Sequence, residues 1–297
     1  ASLNNQNRLH LGFHYPRSHS TRIQSKRGSS LFYLYYPSLI KDIDLSLYSI
    51  SSDSSLMDFE TYKSIIIASE LPFEDVSLSN PLRLNNVEGI LDTNEKVIDS
   101  NKAKKFFKTQ LEDVLINNKK VNKDTIMKLK NQGFKIIDCT WNKIFKNKSF
   151  FYESTIIFKC RNKYDINFGL TIMDGLFSSI YPIDEKYSTL SDVEYTPFFK
   201  TSSFDEAYES ILKINKETID NIKLNMVEKI THYFPQFYDY FEVVEPIFSV
   251  KTKKLNMKND DRFSYIIDLE EDTYSVFSGK IDSIFDIESQ FMSKLLR

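Results

Sequence analysis

Asn4-Asn5-Gln6-Asn7-Arg8-Leu9-His10-Leu11-Gly12-Phe13-His14-Tyr15-Pro16-Arg17-Ser18 gathers amides, two histidines, two arginines, a tyrosine and one of the seven glycines into fifteen positions. Such a mixture is poor core material, because every buried polar group must find a partner. It suits the wall of a cleft that takes a polar ligand; an exposed loop is the other reading that composition allows. Glycine is scarce at 7 in 297 residues, so each retained one marks a special backbone conformation or a close approach.

Outward from this stretch, Ser20 or Thr21 caps a helix running to about Leu34, and Pro37 stops it. Residues 44–50 alternate as a strand, 59–70 look helical, and 80–94 suggest short strands. Ser100 precedes a helix carrying Phe106, Phe107, Leu111, Val114 and Leu115, ended by Asn117-Asn118. A further helix from about Asp124 stops at Gly133, in the usual C-terminal glycine position. Phe134 to Thr140 then forms a short β run, and a helix leading straight into a strand is half of an α/β unit.

Residues 151–160 alternate strictly, and 166–173 and 177–181 read as strands about the turn dipeptide Asp174-Gly175. Phe204 to Tyr233 is the longest amphipathic segment. Strands near 246–252, 262–269 and 274–277 precede Ser278-Gly279 and a last helix over 279–296. Alternation favours an antiparallel sheet and the 124–140 unit a parallel one. Two lobes with the chain crossing between them satisfy both.

Composition narrows the function. Lys and Arg total 39 against 41 Asp and Glu, a formal net charge of −2, which gives no electrostatic reason to expect nucleic acid or an anionic membrane. No run of about 18 apolar residues is present to span a bilayer. Two cysteines, Cys139 and Cys160, make no disulfide framework and point to a reducing, cytoplasmic setting. The spacing of His10 and His14 sits in a loop and implies no metal. There is no Gly-x-Ser-x-Gly elbow, Cys-x-x-Cys, His-Glu-x-x-His or Walker loop.

The opening stretch resembles the segment that follows the second strand of the FAD domain in the D-amino-acid-oxidase superfamily. There, small residues, Asn or Ser, and then Ile/Leu-His-x-Gly-x-x-Tyr pass beneath the flavin. Three later segments resemble that superfamily in the same order: Ile136 to Asn142, Leu170 to Phe177 with Pro182, and Val276 to Asp282. The resemblance implies an α/β (mixed α+β) fold of two lobes: a partial Rossmann-like FAD-binding lobe and a substrate lobe with a mainly antiparallel sheet. Residues 1–43, 97–148 and 256–297 would form the first lobe, and 44–96 with 149–255 the second.

That superfamily opens on strand–GxGxxG–helix–strand, which this sequence does not contain. The chain starts at Ala1-Ser2-Leu3 without an initiator Met. It is therefore expected to be about the last five-sixths of a longer flavoprotein, inactive and weak in FAD binding by itself.

The resemblance places Ala1, Ser2, Asn4, Asn5, Arg8, Leu9, His10 and Gly12 at the cofactor. Cys139 and Thr140 stand beside the dinucleotide, and Ser278, Gly279, Lys280 and Ile281 at the flavin. His14 and Tyr15 lie where substrate meets the ring, with a histidine suited to accept a proton there. Arg17 has the fork geometry to hold a carboxylate or phosphate, and a surface salt bridge is its alternative. The expected activity is hydride transfer from a C–N or C–OH bond of a small polar metabolite to FAD. A non-catalytic ligand-binding module stays open as the other reading.

Overall fold

The computed structural model describes residues 4–255, 264–270 and 272–295. The chain opens with β1 (Arg8–Leu9), α1 (His19–Tyr35), β2 (Ile40–Lys41), β3 (Leu45–Ser51), α2 (Phe59–Ala68), β4 (Phe73–Asp75), β5 (Val87–Thr93) and β6 (Lys96–Ile98). Next come α3 (Ser100–Gln110), α4 (Lys123–Asn131), β7 (Ile136–Asp138), β8 (Phe150–Asn162), β9 (Phe168–Met173), β10 (Ser178–Pro182), β11 (Tyr187–Asp192) and β12 (Pro197–Thr201). The remainder is α5 (Phe204–Lys213), α6 (Lys216–Tyr233), α7 (Phe237–Tyr240), β13 (Phe241–Lys254), β14 (Tyr265–Glu270), β15 (Thr273–Phe277), a 3-10 turn at Ile281–Ser283 and α8 (Ile284–Leu295).

Nine strands form one sheet in the order β12-β8-β11-β10-β9-β3-β5-β4, with β13 also on β8. Every pair in it is antiparallel except β3 with β9. One face carries Leu47, Phe158, Leu170, Ile180 and Leu190 against Met226, Val227 and Ile230 of α6. Each such side chain taken out of water contributes about 1.5–3 kcal/mol, so this face anchors the sheet. On the other face, register sets Tyr48 beside Thr171, Thr171 beside Ser179 and Ser179 beside Ser191. This row of hydroxyls meets the opening loop.

A second sheet, β14-β15-β7, pairs β7 and β15 in parallel, with Ser275 opposite Asp138. The two segments after these strands therefore leave from one sheet end. A third small sheet, β1-β6-β2, ties the opening loop to the middle of the chain. The whole is a mixed α/β fold.

Polar N-caps start the helices where the sequence supplies them: Ser18, Asp58, Asp99, Asn122, Ser203 and Asn215 each accept a backbone N–H from three residues on. Two caps differ from the sequence reading, since Ser18 and Asp99 serve in place of Ser20 or Thr21 and of Ser100. The 204–233 segment is two helices, because Asn215 caps a new one onto Thr218 N after Ile214 turns extended. Helix α3 ends at Gln110, leaving Leu111, Val114 and Leu115 exposed beyond it. Strands β11 and β12 went unread, since Ser and Thr dominate the first and the second is short.

Candidate functional site

Gly12 sets the shape of the opening loop. Its φ is +125°, and a Cβ there would meet Arg22 O at 3.1 Å. Tyr15 N donates to Gly12 O at 3.0 Å and Ser18 N to Tyr15 O at 3.2 Å, so the loop turns tightly into α1. Its rings gather: His10 lies 5.1 Å from His14 and 5.4 Å from Tyr15, and His14 lies 5.3 Å from Tyr15. Phe177 closes edge-on over His14 at 4.7 Å. His10 and His14 are half-buried and Tyr15 is buried.

Beneath these rings lies a buried polar network. Arg8 is only 5% exposed and stacks 4.0 Å over the Tyr181 ring. Its Nη1 donates to Tyr48 Oη at 2.7 Å and Thr171 Oγ1 at 2.8 Å, and meets His14 Nδ1 at 3.4 Å. Tyr48 Oη in turn donates to Glu95 Oε2 at 2.5 Å, while Leu11 N donates to Glu95 Oε1 at 2.7 Å. Glu95 is 1% exposed. Burial pushes its carboxyl up, opposed by the Arg8 charge and by donors from Tyr48, Leu11 and Gly12. Burial likewise raises the Tyr48 phenol, which stays protonated and bridges guanidinium to carboxylate.

Arg17 Nε contacts Asp174 Oδ2 at 3.0 Å; the arginine side chain is 35% exposed and the aspartate 3%. Asp174 is thus a buried charge at the site, beyond the plain turn that Asp174-Gly175 suggested. Its backbone N–H donates to Ser55 Oγ at 3.1 Å. Arg22 fixes the loop's exit, with Nη1 donating to Tyr15 O at 3.0 Å and Pro16 O at 2.5 Å.

The end of the chain reaches the same place. Lys280 Nζ donates to Ser25 Oγ at 2.7 Å and lies 4.9 Å over the Tyr15 ring. Lys280 precedes the helix rather than lying in its first turn: it is extended and buried, the N-cap of the 3-10 turn. Helix α1 allows this approach through a small-residue stripe: Thr21, Ser25, Gly28 and Ser29 are all buried. A Cβ on Gly28 would lie 2.1 Å from Asp282 O, so the Ile281–Ser283 turn sits directly on the helix backbone. Ser278 is locked by Ser264 and Ser283 hydroxyls at 2.9 and 2.8 Å, while Gly279 is exposed, with open space around it.

The other sequence candidates are spread out. Cys139 is exposed and Thr140 half-buried just past β7, at the same sheet end as the close of the parallel β15. Asn4 Nδ2 donates to Phe248 O at 2.9 Å on β13, and Asn5 Oδ1 accepts from Gln6 N at 2.9 Å within its own loop. Leu9 packs in the cluster of Phe32, Leu39, Ile98 and Ala103, against which Ile281 also lies. Ala1 and Ser2 fall outside the described residues. Tyr48, Glu95, Thr171, Asp174 and Tyr181 were not foreseen.

Arg8, His10, His14 and Lys280 are linked by short contacts around His14 and Tyr15, and Gly279 is exposed one residue before Lys280. Carboxyl ends of parallel strands are where such folds bind ligands. An anion-stabilising wall next to that edge fits a flavin, whose reduced ring carries negative charge. Among the described residues, no group of three or more His, Cys, Asp or Glu gathers to hold a metal. No helix of the described residues is long and apolar enough to cross a membrane.

No family model matches the chain. The FAD-dependent monooxygenase FPY4 of Fusarium mangiferae is 33% identical over 300 residues, covering 99% of this chain and 80% of that protein. Among solved structures, glycine oxidase from Geobacillus kaustophilus superposes with a TM-score of 0.62 at 9% identity, over 96% of this chain and 80% of its own. NikD, an amino acid oxidase essential for nikkomycin biosynthesis, gives a TM-score of 0.59 at 9% identity, over 92% and 77%. L-proline dehydrogenase from P. horikoshii gives 0.57 at 12%, over 91% and 77%. The structures share the fold, the fungal enzyme shares sequence along nearly the whole chain, and this protein belongs with it to the FAD-dependent oxidoreductases.

Proposed function

We propose that the protein oxidises a C–N or C–OH bond of a small polar metabolite, with FAD as the hydride acceptor. The observation that supports this most is the meeting of the first and last segments, where Lys280 reaches Ser25 and the Tyr15 ring. Bound FAD supplies an isoalloxazine that takes up a hydride. The chain's own part is orientation and electrostatics. Lys280, the Ser278–Ile281 backbone, Arg8, His10 and Gly12 would hold the flavin. His14, Tyr15 and Phe177 form the substrate-facing wall, and Arg17, braced by Asp174, stands at its edge.

Residues 1–43, 97–148 and 256–297 compose the cofactor lobe, and 44–96 with 149–255 the substrate lobe. Two free cysteines suit a cytoplasmic enzyme. The weak side of the site is the ADP half of FAD, for which no GxGxxG loop is present in the sequence.

The test is an absorbance scan from about 300 to 550 nm of the purified protein, with and without added FAD, since oxidised flavin absorbs there. Flavin bands bleached anaerobically by an amino acid, amine or hydroxy acid establish the oxidation and name the substrate class. Bands that bleach only with a reduced nicotinamide, with oxygen then appearing in the product, favour a monooxygenase, the activity named for the fungal relative. A colourless, folded protein that ignores added FAD leaves the non-catalytic binding module.

A further inference from the structure

We propose that Arg8 and Glu95 divide the two histidines of the opening loop: Glu95 holds His10 in its cationic form, and Arg8 holds His14 neutral with its proton on Nε2. Both are positioning residues, acting through the rings that line the wall.

The argument begins from what each side chain can do. A guanidinium has N–H donors and no acceptor. Arg8 Nη1 spends its two hydrogens on Tyr48 and Thr171, so at 3.4 Å it meets His14 Nδ1 as a positive charge; a lone pair on that nitrogen is favoured over an N–H, which puts the ring proton on Nε2. A second positive charge on His14 would sit against the buried guanidinium, which disfavours it. His10 stands in the opposite field. Its Nδ1 is 3.9 Å from Glu95 Oε1, and Glu95 is buried where screening is weak. A carboxylate at that range favours imidazolium and keeps the Nδ1 proton on its own side.

The remaining groups reinforce the split. Tyr48 accepts from Arg8 and donates to Glu95, tying the two charges into one unit on the sheet. The rings of His10 and His14 are 5.1 Å apart, so charging one opposes charging the other. Tyr15 lies against both rings, and Lys280 sits over Tyr15 at 4.9 Å. Titratable neighbours whose surroundings push them apart take different tasks. His14 then carries its one ring proton on Nε2, whereas His10 supplies fixed positive charge. That this charge serves a flavin rests on the proposed function; the protonation pattern does not.

The experiment is ¹⁵N-edited NMR of the imidazoles in the full chain without added cofactor, titrated with pH. Assignment uses single replacements of each histidine. The expected result is a His10 midpoint at least about one pH unit above that of His14, with neutral His14 showing the Nε2–H tautomer. In Glu95→Gln the His10 midpoint drops by about one unit while His19 and His232 hold still. In Arg8→Gln the His14 midpoint rises. A His14 midpoint at or above His10's, or His14 protonated on Nδ1 when neutral, overturns the assignment; so does an unmoved His10 in folded Glu95→Gln. If that variant does not fold, the parent's tautomer and midpoint order decide alone. A protein that fails the flavin scan can still pass here, and the reverse, so the two readings fail separately.

Discussion

Replacing Gly28 by alanine sets two effects of known sign against each other. In a helix interior, alanine is favoured over glycine by about 1 kcal/mol. At Gly28 the added Cβ would lie 2.1 Å from the carbonyl oxygen of Asp282 and 2.8 Å from its carbonyl carbon. Ordinary contact begins at 3.4 Å, so α1 and the Ile281–Ser283 turn must part by more than 1 Å. The neighbour is backbone, which has no rotamer to yield. Overpacking of this kind costs about 1–3 kcal/mol, so Gly28→Ala is expected to be destabilising by about 1–2 kcal/mol net.

Urea unfolding followed by circular dichroism measures this, with Ser30→Ala as reference. Ser30 lies on the same helix, exposed, and bonds only Lys26 O at 2.8 Å among the described residues. Alanine there should gain a few tenths of a kcal/mol from propensity. If Gly28→Ala is as stable as the parent, or gains as Ser30→Ala does, the close seating of the last turn on α1 is refuted. The placement of Lys280 would go with it.

Four further outcomes follow from the contacts. Asp53 accepts hydrogen bonds from Ser51 and Tyr233 and pairs with His232 at 2.6 Å, which together lower its pKa to about 2. A carboxylate with a depressed folded pKa gives its stability above the unfolded value near 4 and loses it as pH falls toward 2. The pair is half exposed, so Asp53→Asn should remove less than about 1 kcal/mol of acid-limb dependence, read as a flatter unfolding midpoint over pH 2–4. A double-mutant cycle of Arg17→Met with Asp174→Asn should show coupling of about 1–2 kcal/mol, since one partner is buried; additivity within about 0.3 kcal/mol counts against the pair. Ellman's reagent at pH 8 should find one thiol in the folded protein and two in urea, because burial pushes Cys160 up to about 12 while Cys139 is exposed. Ile230→Ala should cost about 2–5 kcal/mol in urea unfolding by opening a cavity between α6 and the sheet; a loss under 1 contradicts that packing.

The parts of the fold legible in sequence were those with local signals. Gly133, with φ +85°, ends α4 and hands the chain to β7, as a glycine after periodic residues should. The last strand, Ser278-Gly279 and the final helix were also readable, though a 3-10 turn precedes α8. What escaped depends on partners far along the chain. Glu95 is one acid in the polar turn Asp92-Thr93-Asn94-Glu95-Lys96, and nothing nearby says its carboxylate turns inward to Leu11 and Tyr48. Asp174 looked like turn chemistry because Asp-Gly is turn chemistry; its role comes from Arg17, far back in the chain. Arg17 itself fitted both readings, and the geometry adds the Asp174 pairing to either. Composition left the opening loop as a cleft wall or an exposed loop, and the burial of Arg8 comes from partners far along the chain, Tyr48 and Thr171.

The parallel pairing of β7 with β15 has a consequence for how the protein is made. Thr273 lies beside Ile136, and Lys280 beside Ser25 and Tyr15. Synthesis runs at about 5–20 residues per second, so the opening loop emerges some 10–50 s before its closing partner exists. During that interval the polar wall has no lid, and the small-residue stripe of α1 lies open to any passing chain. Contacts of such long sequence separation also form slowly, because loop closure is unfavourable until the far end arrives. A nascent chain stalled before the last turn would have the large sheet built and the site still unassembled. In the cell, the final twenty residues would then decide whether the first twenty ever become a site.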